Sequence, residues 1–154
     1  VKLLIEKNAD VNIQNKFGSS SLMFCTINNN FNLVKILLDN GANANLKDSF
    51  NSNALMYSIQ NKNFEIFKEI VPFTNLEIPN YNGDTILIQL VKKNLIDYIK
   101  YVLNFGVDIN ATNSYGNSAL HIAAFNKNIE IFTLLLDNGA KISENNEGVI
   151  PLID

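Results

Sequence analysis

The stretch GNSALHIA, residues 116–123, has four counterparts elsewhere in the chain: GSSSLMFC at residues 18–25, NSNALMYS at 51–58, GDTILIQL at 83–90 and GVIPLI at 148–153. Each of the five holds a leucine at the matching place. These leucines follow one another at intervals of about 33 residues: Leu22, Leu55, Leu87, Leu120 and Leu152. A fixed period of this length indicates an array of small structural repeats.

Aligning these stretches divides the chain into repeats. It predicts four full repeats at residues 15–47, 48–79, 80–112 and 113–145, with partial repeats at 1–14 and 146–154. Each full repeat holds two short segments with apolar residues at helical spacing, such as 21–28 and 32–40. Asn8, Gly41, Gly106 and Gly139 follow second segments, at the place where a left-handed residue closes a helix. We therefore predict two α-helices in each full repeat.

Neighbouring repeats must stabilise one another, because helices of about eight to ten residues are too short to persist in water. The stability of a linear array comes from the interfaces between adjacent repeats. The second helices carry paired apolar residues that we expect to face neighbouring helices: Leu4 and Ile5, Leu37 and Leu38, Ile70 and Val71, Val102 and Leu103, and Leu135 and Leu136.

The period and the repeated phrase resemble the ankyrin repeat, whose family phrase is G-x-T-P-L-H-x-A-A. The resemblance covers the whole chain. It implies an all-α solenoid of stacked helix-turn-helix units with projecting β-hairpin loops. It also implies a non-catalytic protein-binding module that needs no cofactor and no metal.

The repeat at 48–79 departs most from this pattern. Asn51 replaces the glycine of the phrase, Phe73 and Thr74 stand where other repeats place the closing glycine, and the repeat is one residue short there. Pro72 lacks a backbone N–H and clashes with the preceding turn, which favours helix termination near Val71. We expect irregular stacking between this repeat and the repeat at 80–112.

Composition excludes several classes of function. The net charge of -3 gives no basic footprint for nucleic acid. The single cysteine allows no intrachain disulfide and favours a cytoplasmic location. No apolar stretch approaches the about 20 residues needed to cross a bilayer.

Because the chain starts at Val1 within a repeat, we expect a fragment of a longer protein. Most of its 27 asparagines fall where turns and helix caps are expected.

Few side chains suggest chemistry. His121 is the sole histidine, so a histidine metal cluster or catalytic dyad is not expected. The resemblance implies a structural role for it, hydrogen-bonded near Ser118. Cys25 has no basic neighbour to activate it, and we assign it to the core. The carboxylates Asp84, Asp97, Asp108 and Glu130 are scattered singly, which favours solvated surface.

The resemblance implies that a partner contacts the hairpin tips and the exposed face of the first helices. These would form one concave strip. The tip residues are Lys16, Phe17, Ser19, Ser49, Phe50, Ser52, Tyr81, Asn82, Asp84, Ser114, Tyr115 and Asn117, and the helix residues are Ile27, Gln60, Lys92 and Phe125. The four tip aromatics either anchor a partner or only stack on adjacent hairpins. We assign Phe24 and Tyr57 to the core, and we expect Ile27 and Phe125 to face solvent.

The leading functional hypothesis is a rigid module that binds another protein. An alternative is a regulatory or targeting segment of a larger enzyme or channel whose active part lies elsewhere. A third possibility is a structural spacer without a partner. We also expect self-association through the truncated ends, because half-repeats leave apolar faces open.

Overall fold

A computed structural model describes residue 7 and residues 9–153 of the chain. Within these residues it contains eight α-helices and one short 3-10 helix, and it divides into two compact units that meet in sequence between Asn75 and Leu76. The α-helices are α1 (Ser21–Ile27), α2 (Phe31–Asp39), α3 (Ala54–Gln60), α4 (Phe64–Ile70), α5 (Ile86–Lys92), α6 (Ile96–Leu103), α7 (Ala119–Phe125) and α8 (Ile129–Asp137).

The first unit holds two consecutive helix pairs. Helix α1 packs against α2 and against α3, while α2 and α3 each pack against α4. The core between them is apolar and closed to water, and its largest side chains include Leu22, Leu37, Leu55, Ile66 and Phe67. Paired short helices that bury their apolar faces against the next pair are what the repeat pattern predicts.

The second unit repeats this arrangement. Helix α5 packs against α6 and α7, and α7 packs against α8. Its core includes Leu87, Ile88, Ile99, Leu120 and Leu135. The predicted all-α fold of two-helix repeats is thereby confirmed, whereas the predicted repeat boundaries stay a prediction.

Asparagine side chains begin most of the second helices. A side-chain oxygen at the N-cap accepts a backbone N–H three residues on, at 3.0–3.1 Å, in the cases of Asn30, Asn63 and Asn128. This bond satisfies one of the amide groups left open at a helix start. Helix α6 instead follows Leu95 and has no side-chain cap.

The helix-closing glycines are confirmed at Gly41, Gly106 and Gly139, with φ of +82°, +69° and +92°. The paired apolar residues are buried at Leu37 and Leu38 and at Ile70 and Val71. Val102 and Leu135 are buried as well, whereas Leu103 is half-buried and the expectation fails at Leu136, which is 37% exposed. Asn8 and the pair Leu4 and Ile5 lie outside the described residues.

The predicted helix stop near Val71 is confirmed. Helix α4 ends at Ile70, and a single 3-10 turn over Val71–Phe73 contains Pro72. The Thr74 hydroxyl donates to the Ile70 carbonyl at 3.0 Å. The missing glycine of the phrase is replaced by Asn51 at φ +58°, since asparagine tolerates the left-handed region. Irregular stacking beyond this repeat stays a prediction.

The hairpin loops of the described residues contain at most a single β-bridge each. In the part of the chain that the structure describes, they appear as tight turns without extended strands. Single antiparallel bridges close two of them, between Gln14 and Ser20 and between Thr112 and Ser118.

Candidate protein-binding surface

An aspartate or asparagine side chain builds each hairpin tip of the first unit. The Asn15 Oδ1 accepts the N–H groups of Phe17 and Ser19 at 2.9 and 3.0 Å. The Asp48 Oδ1 does the same for Phe50 and Ser52 at 2.9 and 3.0 Å. Such side-chain bonds hold the backbone in a turn, and at the first tip they add to the single bridge between Gln14 and Ser20. The tip backbone is therefore fixed by its own side chain.

The second unit uses the same construction. The Asn80 Oδ1 accepts the N–H groups of Asn82 and Asp84 at 2.9 and 3.0 Å. The Asn113 Oδ1 accepts those of Tyr115 and Asn117 at 3.0 and 3.1 Å. A third tip follows at 145–148.

Adjacent tips within a unit are joined by backbone hydrogen bonds. In the first unit the Ser49 N–H and hydroxyl donate to the Phe17 carbonyl at 2.9 and 2.8 Å. In the second, the Ser114 N–H donates to the Asn82 carbonyl at 3.2 Å. The close approach requires glycine, because a Cβ on Gly83 would lie 2.7 Å from the Ser114 nitrogen. Each pair of tips is consequently a rigid platform.

The tip aromatics point away from the core. Phe17 is 55% exposed, Phe50 78%, Tyr81 86% and Tyr115 62%. The Lys16 ammonium lies 5.0 Å from the centre of the Phe17 ring and covers part of it. Among the described residues of each unit, neighbouring tips are joined by backbone hydrogen bonds and not by stacked rings. Exposure of this size favours the anchoring role over the stacking role.

The other candidate residues are placed on the surface to different degrees. On the first helices Ile27 is 42% exposed and Phe125 86%, as expected. Exposed candidates are Lys16, Ser49, Gln60, Asn82, Lys92 and Ser114, and half-buried ones are Ser19, Ser52 and Asn117. Within each unit the structure thus gathers aromatic, amide and hydroxyl groups on the tips.

The expectation that Asp84 is an exposed tip residue was wrong. Its side chain is buried, where it accepts hydrogen bonds from the Lys92 ammonium at 2.6 Å and the Asn113 amide at 2.8 Å. A buried carboxylate needs such partners to offset the loss of water. Asp84 therefore supports the tip from within, and it holds the Lys92 ammonium, a second candidate, at the same time.

The assignment of Phe24 to the core was also wrong, since it is 54% exposed. Residues of a helix are separated by about 100°, and the buried face of α1 is taken by Leu22, Met23 and Thr26. Phe24 lies nearly opposite the centre of that face. It adds an aromatic ring to the exposed surface that sequence reasoning missed, although this angular count would have found it. Tyr57 is half-buried, and its hydroxyl donates to Asp48.

His121 has the structural role implied by the resemblance. The Ser118 hydroxyl lies 2.8 Å from its Nδ1, and its Nε2 lies 3.1 Å from the Val149 carbonyl oxygen. Because a carbonyl only accepts, the Nε2 carries the proton and donates it.

Cys25 is half-buried, and this burial raises the pKa of its thiol. The residues described contain no group of three or more histidine, cysteine, aspartate or glutamate side chains placed to hold a metal ion.

Asparagines at corresponding places join neighbouring repeats, a role that the cap pattern alone did not specify. The Asn61 amide donates to the Ile27 carbonyl at 2.9 Å, and the Asn63 amide to the Asn29 side chain at 3.0 Å. Recurrence of asparagine at the repeat period was the available signal.

Among the described helices none is long and apolar enough to cross a bilayer.

Comparison with known proteins identifies the family. A family model for ankyrin repeats in three copies matches residues 1–79 and 69–146. An ankyrin repeat protein of Rickettsia felis is 43% identical over 68 residues, which are 43% of this chain and 22% of that protein. Protein fem-1 homolog A-like of Mus musculus is 33% identical over 79 residues, 51% of this chain and 12% of that protein.

Solved structures agree. The crystal structure of the ankyrin repeat protein EF0377 has a TM-score of 0.85 and 28% identity, covering 97% of this chain and 80% of that one. The chain spans less than a quarter of the length of either curated relative. Sequence family, repeat period and helix arrangement agree, and this chain belongs to the ankyrin repeat family.

Proposed function

We propose that this chain is a non-catalytic module that binds another protein through its hairpin tips and first helices. Ankyrin repeats are generally protein–protein interaction modules, and the family is typically non-catalytic. The proposed contact residues are the candidates named above except Asp84. A cytoplasmic location is part of the proposal, and the single cysteine supports it.

One observation carries the proposal. Large aromatic side chains are exposed on tips whose backbones are held by two independent sets of hydrogen bonds. Each tip is held by its own aspartate or asparagine and by the neighbouring tip. Aromatic rings lose little conformational freedom on binding, which makes them effective anchors. A rigid platform further reduces the entropy lost on association.

Replacing Phe17, Phe50 and Tyr115 together with serine tests the proposal. Capture of a cellular partner should fall at least about a hundredfold, because the loss of three anchor residues at about 1 kcal/mol each sums to about 3 kcal/mol. A matched control replaces three exposed isoleucines outside the proposed contact residues, Ile13, Ile129 and Ile142, with serine. Equal capture by both variants, with unchanged circular dichroism, would count against the proposal.

A second candidate is a regulatory or targeting segment of a larger enzyme or channel. The curated relatives support it, since the matched region makes up only 22% and 12% of their lengths. The complete reading frame around this segment discriminates between the two. Flanking catalytic or membrane domains favour the second candidate, whereas further repeats alone favour the first.

A further inference from the structure

The dipeptide Asn-Gly occurs three times in the chain, at residues 40–41, 82–83 and 138–139. In this dipeptide the glycine nitrogen can attack the side-chain amide carbon of the asparagine, because glycine has no side chain to obstruct the close approach. All three glycines have a positive φ, between +75° and +92°. The dipeptide and the conformation of its glycine therefore do not distinguish the three sites.

The three asparagine side chains are held very differently. The Asn40 amide donates to the Ile36 carbonyl at 2.7 Å, and the Asn138 amide donates to the Leu134 carbonyl at 2.8 Å. Both bonds tie the amide to the last turn of a helix. Within the described residues the Asn82 side chain makes no hydrogen bond, and it is exposed. Of the three amides, only that of Asn82 is free to turn towards the next nitrogen.

The attacking nitrogens, in contrast, are held alike. Each glycine donates its N–H to the carbonyl of the residue three positions earlier, at 3.1, 3.0 and 2.9 Å for Gly41, Gly83 and Gly139. One backbone bond must therefore open at every site before the nitrogen can attack. At the two helix ends a side-chain bond must break as well, which adds to the barrier. The difference between the sites consequently lies in the asparagine side chain.

We propose that Asn82 is a site of spontaneous deamidation, with water as the co-reactant. The Gly83 nitrogen forms a bond to Cγ of Asn82 and gives up its proton, while the Cγ–Nδ2 bond breaks and Nδ2 leaves as ammonia. Water then adds to either carbonyl group of the resulting cyclic imide. Opening at one carbonyl gives aspartate. Opening at the other gives iso-aspartate, in which the main chain runs through Cβ and Cγ.

Iso-aspartate at this position changes the joint between the tips of the second unit. The Asn82 carbonyl accepts the Ser114 N–H at 3.2 Å, and the Asn82 N–H donates to the Asn80 side chain at 2.9 Å. In iso-aspartate this carbonyl leaves the main chain and becomes a free carboxylate, so the turn no longer fixes its position. A negative charge also appears on a proposed contact residue. Its effect on a partner rests on the proposed function, whereas the modification itself does not.

Incubation of the intact chain at mildly alkaline pH, followed by digestion and mass spectrometry, tests the proposal. Acid should form at residue 82, and at least about fivefold more slowly at residues 40 and 138, which is the rate difference that one hydrogen bond makes. The same incubation in urea is the control, because unfolding removes the side-chain bonds, and there the three sites should react at similar rates. Equal or reversed rates in the folded chain, or a reaction at residue 82 in urea alone, would overturn the proposal.

Two variants separate the longer main chain from the added charge. Asn82→Ser removes the reactive amide, and Asn82→Asp adds the charge without lengthening the main chain. Amide exchange of the Ser114 N–H should accelerate in the incubated wild-type chain. It should stay unchanged in incubated Asn82→Ser and in freshly purified Asn82→Asp. Acceleration in Asn82→Asp would overturn the account of the joint. These readouts need no partner, so their failure is distinguishable from a failure of the proposed function.

Discussion

The Nζ of Lys92 lies 2.6 Å from a carboxylate oxygen of Asp84, and water reaches the two side chains very unequally. The Asp84 side chain is 3% exposed and that of Lys92 is 38% exposed. The Asn113 amide donates to the other Asp84 oxygen at 2.8 Å. The carboxylate thus depends on its partners, while the ammonium can turn to water if the carboxylate is removed.

This inequality predicts that Lys92→Met destabilises the fold more than Asp84→Asn does. Removing the lysine leaves a buried charge whose side-chain partners are the neutral amides of Asn113 at 2.8 Å and Asn80 at 3.5 Å, which costs about 3 kcal/mol. Asparagine at position 84 removes the buried charge, and the freed lysine is solvated, so that change should cost about 1 kcal/mol. Urea denaturation of each variant measures both values. Lys93→Met, at an exposed neighbouring position, is the control and should stay within about 0.5 kcal/mol. The reverse order of the two main variants would refute this account.

The raised pKa of the Tyr57 hydroxyl predicts that the fold loses stability at alkaline pH. Burial, then the hydrogen bond to Asp48 and the charge of Asp48, raise the pKa of Tyr57 from 10.0 to about 12. A raised folded-state pKa means that the contribution of the hydroxyl is complete below pH 10 and is lost as pH rises towards 12. The stability difference between the wild-type chain and Tyr57→Phe should therefore be constant up to pH 9 and shrink above pH 10. A difference that stays constant to pH 12 would contradict the assignment.

The exposed position of Phe24 predicts a small effect of its replacement. Phe24→Ser removes a ring that is 54% exposed, and should cost no more than about 1 kcal/mol. Leu22→Ala, two residues earlier at a 1% exposed position, should cost about 3 kcal/mol by cavity formation. Thermal unfolding of both variants gives the comparison. Similar losses for the two would show that Phe24 belongs to the core after all.

The repeat period made the fold predictable, because it aligns residues whose roles are the same. Two helices per full repeat were predicted, and segments 21–28 and 32–40 appear as Ser21–Ile27 and Phe31–Asp39. The closing glycines and the stop near Val71 followed from local backbone chemistry, which depends on only a few neighbouring residues. Such features can be deduced without knowing what packs against what.

The candidate surface was less predictable, because burial depends on residues far apart in sequence. Asp84 is covered through Lys92, eight residues on, and Asn113, 29 residues on. Nothing in the phrase GDTILIQL reveals these partners. For Phe24 the error was different, since an apolar run of one helix was treated as core although a short helix buries only one face.

Two turn glycines with the same backbone conformation separate backbone strain from tip contact. Gly83 and Gly148 both have φ of +75°, so alanine at either position incurs about 1 kcal/mol of left-handed strain. At position 83 the new Cβ would also collide with the neighbouring tip, because it would lie 2.7 Å from the Ser114 nitrogen. At position 148 it would meet no atom within 4 Å. Gly83→Ala should therefore cost at least about 1 kcal/mol more than Gly148→Ala. Urea midpoints measure the difference, and amide exchange of the Ser114 N–H should accelerate in the first variant alone. Equal losses would mean that the tips separate freely, which would also weaken the case for a rigid binding platform.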